Sequence, residues 1–330
     1  MHAHFLPTGL VERLRTRSQA PNISVDANGS VSIGIHRTRI PYNAAFDNAQ
    51  ERLAAMDRSG IEHQVLSLPG LFGIDSQPGE EAIELTAAFN NGVGALVAAY
   101  PNRFSGMASL PITEPHLAAR EYRRTRNDLG LIGMILPGDA FVSGAQARTL
   151  RPLFDAAQEV GGLVFIHPGP LCDDRSTVPV NTPALHSDNV VHRRATVDIQ
   201  NRLTEVMVTL ALSNFLDEYE DVPVQVANLG GSLPFVIERM DHVYALRHPE
   251  LPLPSQNLKP VYVDTASMGP RALEMAVGTY GADRILFGTD IPIFDHTRCI
   301  SATAQSRLGD PEKAMILKSN AAALLARVTP

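Results

Sequence analysis

The chain is poor in the features that mark several large protein classes. Its two cysteines, Cys172 and Cys299, are too few for a disulfide framework, which points to a reducing cytoplasm rather than a stapled secreted domain. Basic residues do not outnumber acidic ones: 28 against 35 gives a formal net charge of −7, which argues against a nucleic-acid partner. No stretch near the start has the apolar run of a signal peptide or a membrane span, so no membrane partner is expected. A glycine-rich dinucleotide fingerprint after an early strand is also missing; Gly230-Gly231 comes late and lacks the spacing. With 44% apolar and 19% charged residues over 330 positions, a large folded core is available and neither disorder nor a fibrous repeat is needed.

Most of the chain alternates strand and helix. Apolar runs end near His4, Leu68, Leu110, Leu136, His167, Asn228, Asp264 and Asp290, eight candidate strands in all. Helical spacing or helix boundaries predict helices over 8–17, 80–100, 114–127, 149–160, 233–246, 271–280 and 311–327, with another running up to 219. Continuous apolar strands separated by helices imply a parallel sheet, and eight units favour a (β/α)8 TIM barrel over an open doubly wound sheet. The expected architecture is therefore α/β, one domain over 1–330. An insertion over about 18–45 interrupts it after the first strand, where Asp26-Ala27-Asn28-Gly29 between two alternating runs predicts a β-hairpin. Only Met1 precedes His2, although a barrel strand usually runs about five residues, so a missing N-terminal piece is expected.

The residues with chemistry sit at strand ends. His2 and His4 alternate onto the same face of a strand, where two imidazoles can share one metal ion. The competing reading is a chance pair or the scar of an affinity tag. In a barrel the C-terminal strand ends face one mouth, which would bring His167 and Asp290 to the same place. Three imidazoles and a carboxylate suit zinc or another first-row divalent ion, manganese included, with a position left open for water or substrate. Otherwise His167 is a satisfied histidine under a loop and Asp290 a turn or N-cap aspartate.

These residues lie in segments that resemble the amidohydrolase-related metal-dependent decarboxylases, which include aminocarboxymuconate semialdehyde decarboxylase and resorcylate decarboxylase. The segments are His2-Ala3-His4-Phe5-Leu6-Pro7, Phe165-Ile166-His167-Pro168, Leu229-Gly230-Gly231-Ser232-Leu233-Pro234-Phe235 with Arg239, Phe287-Gly288-Thr289-Asp290 with Pro292, and Asn320-Ala321 with Leu324-Leu325. The stretch from Arg52 to Gly60 and Tyr100-Pro101-Asn102-Arg103-Phe104 with Leu110-Pro111 extend the likeness over almost the whole chain, in order.

The resemblance implies a metal held by His2, His4, His167 and Asp290. It also implies a substrate carboxylate bound by Arg37 or Arg39 after the insertion, and by Arg239 reaching in from the neighbouring subunit of a homodimer. For each arginine the alternative is a solvated charge or a local ion pair. One position departs from the pattern. The family usually has histidine before Leu-Gly-Gly, where it activates or orients water, and this chain has Asn228, an amide that cannot act as a base near neutral pH. Decarboxylation that needs only Asp290 as proton carrier, replacement by His186 or His192, and a silenced enzyme all remain open at this point. Decarboxylation of a small aromatic or unsaturated carboxylic acid leads. A hydrolase or hydratase of a related acid, and a binding protein without turnover, are the alternatives.

Overall fold

The computed structural model describes residues 1–35, 38–171 and 196–330. Eight strands form one parallel sheet: β1 (Ala3–His4), β5 (Gln64–Ser67), β6 (Phe104–Ala108), β7 (Gly133–Pro137), β8 (Leu163–His167), β9 (Val224–Val226), β10 (Tyr262–Asp264) and β11 (Ile285–Leu286), neighbours in that order. The sheet curls until its edges meet. Ala3 pairs in parallel with Ile291, the His4 N–H donates to the Ile291 carbonyl at 2.7 Å, and the Thr289 and Asp290 N–H groups donate to the His2 carbonyl at 3.1 and 3.0 Å.

Period-two alternation splits the strands between two apolar clusters. Val65, Met107, Ile135, Leu163 and Phe165 pack in one, with Leu324 and Val328 of the last helix. Leu66, Ala108, Met134, Leu136, Val164 and Ile166 pack in the other, among the surrounding helices. The helix Gly79–Ala99, at 21 residues, is long and apolar enough to cross a membrane, yet it buries Leu85, Phe89 and Val93 and packs on β6. Asn48 caps the helix Ala49–Arg58 by accepting from the Gln50 and Glu51 N–H groups, which fixes where that helix starts.

Between β1 and β5 the chain forms a three-stranded antiparallel sheet of β2 (Asn22–Val25), β3 (Val31–Ile35) and β4 (Thr38–Pro41). Its first turn is tied by Asp26, whose Oδ1 accepts from the Asn28 and Ser30 N–H groups at 2.8 and 2.9 Å. The third strand was not expected.

Several helix boundaries differ from the sequence reading. The helix expected to reach 219 stops at Ala211 and gives way to a 3-10 turn, Phe215–Glu218. The helix expected over 149–160 runs from Arg151 to Val160, and a short helix before it, Gly144–Thr149, was not expected; Pro152 near the start of the second has no N–H to continue the first. The last helix contains a π turn, Met315–Ser319, where periodicity alone suggested regular winding. The helix His296–Gln305, capped by Asp295, was missed.

Candidate metal centre

His2 and His4 flank Ala3 at the start of the chain, and β8 delivers His167 beside them. Phe165, two residues before His167 on the same strand, lies beneath them: its ring is 4.9 Å from the His2 ring and 5.7 Å from that of His167, an apolar floor. His2, His4, His167 and Asp290 are all buried, with one potential ligand atom from each lying within 4.8 Å of the others. His4 Nε2 is the hub. It lies 3.3 Å from His2 Nε2, 3.2 Å from His167 Nε2 and 3.0 Å from Asp290 Oδ1.

Each imidazole is oriented from behind. His2 Nδ1 faces Asp264 Oδ1 at 3.0 Å, His4 Nδ1 faces Ser67 Oγ at 3.1 Å, and His167 Nδ1 donates to the Pro168 carbonyl at 2.8 Å. A proton on each Nδ1 leaves all three Nε2 atoms as lone pairs aimed at one another and at a carboxylate. Asp290 Oδ1 is accordingly buried without a hydrogen-bond partner. Four electron-rich atoms this close repel unless a cation sits among them, and three neutral imidazoles with a carboxylate are a suitable donor set for a divalent metal.

Two of the three imidazoles tend towards the neutral form a metal needs. Burial pushes His167 well below the usual histidine range, reinforced by the charge of His4 and His2. His4 is also lowered, by burial that Asp290 only partly offsets. His2 goes the other way: burial opposes its charged form, but Asp264 and Asp290 outweigh it. Burial disfavours the Asp290 carboxylate, yet His2, His4 and His167 together hold it below the usual range.

The second layer was not found by sequence reasoning. Asp264 is wholly buried and accepts from Gln225 Nε2 at 2.8 Å, from the Ala266 N–H at 3.1 Å and from the Asn228 N–H at 3.3 Å, besides holding His2. The available signal was a carboxylate ending an apolar strand. Arg52, also buried, donates to the His4 carbonyl at 2.8 Å, the Ala45 carbonyl at 2.6 Å and Gln64 Oε1 at 3.2 Å, which fixes the backbone of the first strand. Gly70 presses on the third histidine: a Cβ there would lie 2.7 Å from His167 Nδ1 and 2.8 Å from the Pro168 carbonyl.

Asn228 follows β9 with a left-handed backbone, φ 53°. Its amide donates to the Ala266 carbonyl at 3.0 Å and to Ser267 Oγ at 2.9 Å. The Gly230-Gly231 pair beside it is a packing requirement, since a Cβ on Gly231 would stand 2.4 Å from the Gln200 carbonyl of the neighbouring helix. Arg39 is held on the antiparallel sheet by Ser32 Oγ at 2.8 Å, the Ser32 carbonyl at 3.1 Å, Asn22 Oδ1 at 3.3 Å and Ser24 Oγ. Arg239 is exposed on the helix Leu233–Arg247 and forms no ion pair with a described residue. Arg37, His186 and His192 lie outside the described residues.

A curled eight-stranded parallel sheet with a histidine and aspartate centre at one end defines a metal-dependent enzyme of the α/β class. The chain belongs to the amidohydrolase family, whose profile matches residues 1–327. It is 26% identical over 248 residues to the 2-amino-3-carboxymuconate-6-semialdehyde decarboxylase of Dictyostelium discoideum, a match covering 73% of this chain and 66% of that protein. The crystal structure of 5-carboxyvanillate decarboxylase from Sphingomonas paucimobilis superposes with a TM-score of 0.74 at 21% identity, covering 99% of this chain and 98% of that one. A dihydroxybenzoic acid decarboxylase from Polaromonas sp. JS666, with bound manganese and the inhibitor 2-nitroresorcinol, gives a TM-score of 0.70 at 24% identity over 86% of this chain and 88% of that one.

Proposed function

We propose that this protein is a metal-dependent, non-oxidative decarboxylase of a small aromatic or unsaturated carboxylic acid, built as one (β/α)8 barrel domain over 1–330 with an insertion after its first strand. The observation that carries the reading is the set of three buried Nε2 atoms and Asp290 Oδ1, which has no hydrogen-bond partner, converging on one another. Family membership and the decarboxylases among the similar proteins direct that centre towards loss of carbon dioxide. His2, His4, His167 and Asp290 would hold the ion. When bound, a divalent metal draws negative charge from a substrate carboxylate and from an oxygen beside it. Zinc suits the donor set, and the manganese of the Polaromonas relative makes that ion the other choice.

The chain's own residues then carry three tasks. Asp264, Ser67 and the Pro168 carbonyl keep the imidazoles turned. Asp290, ionised near neutral pH, collects a proton from solvent and passes it to the carbon that bears the carboxylate. The C–C bond breaks, carbon dioxide leaves, and the new C–H bond takes the place of the lost one; a ring or conjugated chain holds the electron pair in between. Phe165 and its neighbours keep the floor of the site dry. Asn228 orients a reactant and takes no proton, because an amide has no basic site near neutral pH.

The arginines complete the reading. Arg37 or Arg39, and Arg239 of a second copy, would bind the substrate's acidic groups by charge-assisted bonds. The helix Leu233–Arg247 buries only Leu233 and Ile237, while Phe235 is 76% and Leu246 is 85% exposed, which gives a homodimer an apolar face to cover. The buried free thiol of Cys299 fits a cytoplasmic enzyme. The test is metal analysis of the purified protein, followed by a carbon dioxide release screen over hydroxybenzoates, hydroxypicolinates and muconate semialdehydes. Hydrated or hydrolysed product without carbon dioxide would replace this reading with a hydrolase or hydratase. Arg239→Ala is expected to weaken substrate binding and leave metal content intact, and mixing it with an Arg39→Ala or Arg37→Ala variant to restore part of the activity.

A further inference from the structure

The amide of Asn228 is more constrained than an asparagine beside a reaction centre needs to be. The Ala266 carbonyl can only accept a hydrogen bond, so the nitrogen must be the atom that faces it, which settles the orientation of the amide. The second amide proton goes to Ser267 Oγ at 2.9 Å. Both donors are thus used. The remaining polar atom, Oδ1, accepts no hydrogen bond from any described residue. Asn228 also stands one hydrogen bond away from a histidine of the centre: its N–H shares Asp264 Oδ1 with His2 Nδ1, at 3.3 and 3.0 Å. Ser267, like Asn228, has a left-handed backbone, φ 60°, so a serine is held in a conformation costly for a non-glycine residue where it can receive the amide proton.

Resting on the decarboxylase reading, we propose that Asn228 is a specificity-determining residue that presents an acceptor only, and that the substrate carries a neutral hydrogen-bond donor, such as a phenolic hydroxyl, that is given to Asn228 Oδ1. An acid with an ether oxygen or a second anion at that point would face an oxygen lone pair. Selection then arises from an unmade bond and a repulsion, which discriminate more sharply than apolar contacts do.

The experiment measures binding of 2,6-dihydroxybenzoate and 2-hydroxy-6-methoxybenzoate to the metal-loaded protein by calorimetry. This pair retains one hydroxyl beside the carboxylate and changes the other from donor to ether. The wild type is expected to prefer the dihydroxy acid by about tenfold, the worth of one hydrogen bond. Asn228→Gly, which suits a positive φ, is expected to bring the ratio near one with metal content unchanged. Equal binding of the two acids by the wild type overturns the proposal without reference to any variant. An unchanged ratio in Asn228→Gly overturns it while leaving the decarboxylase reading in place. Failure of metal-loaded wild type to bind either acid overturns this proposal, and carbon dioxide release from another acid in the screen would show that the decarboxylase reading survives it.

Discussion

The two sides of the metal centre are built differently. On one side, β1, β5 and β8 bring His2, His4, Ser67 and His167 on regular extended backbone, each side chain standing where strand alternation puts it. On the other, β9, β10 and β11 run out into irregular backbone. All four non-glycine residues with positive φ among the described residues lie just beyond these strands: Asn228, Leu229, Ser267 and Asp290. Regular strand aims a side chain perpendicular to the sheet at no conformational cost. A left-handed residue costs roughly 1–2 kcal/mol and persists only where its surroundings hold it. The three histidines of the centre come from the regular side, and its carboxylate, Asp290, comes from the strained side with Asn228 beside it.

Breaking the strained side at its centre has the largest expected effect. Asp290→Asn keeps the shape and the tolerance for positive φ but removes the charge and the proton carrier; turnover is expected to fall about a hundredfold or more, read by carbon dioxide release at saturating substrate. Full activity in that variant would remove Asp290 from the chemistry.

Asp264→Asn probes the link between the two sides, since Asp264 holds His2 while bracing the turn at Asn228. Weakening a carboxylate behind a metal-binding histidine typically costs about 10–100-fold in metal affinity, and a chelator competition assay should show a loss in that range. On the regular side, Gly70→Ala should displace the third histidine and the backbone that follows it. Its methyl group would push into the His167 ring and the Pro168 carbonyl, so faster metal release is expected together with a lower melting temperature of the metal-free protein.

The smallest effect sharpens the contrast from outside the centre. His296, whose Nε2 faces Gln64 Nε2 at 3.0 Å and whose Nδ1 faces Ser59 Oγ at 3.2 Å, is lowered to about 4 by burial and by the charge of Arg52. The unfolded chain would bind this proton near 6.5 and the folded one only near 4. Stability from this group is therefore whole above about 6.5 and declines as pH falls towards 4. Thermal melts of wild type and His296→Gln across that window should converge on acidification; a constant gap would assign the acid sensitivity elsewhere.

Much of this molecule was readable along the chain because it depends on local geometry. Two-residue alternation puts His2 and His4 on one face, apolar runs bounded by helical spacing mark the eight strands, and Asn28-Gly29 marks a turn. Helix ends were less legible. The short helix Gly144–Thr149 carries too little apolar spacing to announce itself, and the π turn at Met315–Ser319 is compatible with the same apolar spacing as regular winding.

What only the tertiary structure decided is who stands behind whom. Asp264 reaches His2 from 262 residues away and Arg52 reaches the His4 carbonyl from 48, pairings set by how the sheet curls and by its register rather than by any spacing in the sequence. The engagement of Arg39 by Ser24, Ser32 and Asn22 is of the same kind, since a guanidinium takes whichever acceptors antiparallel pairing lays beside it. Left-handed turns at Asn228, Ser267 and Asp290 carry no propensity strong enough to announce themselves; they exist because packing and hydrogen bonds from distant strands outweigh the local preference of each residue.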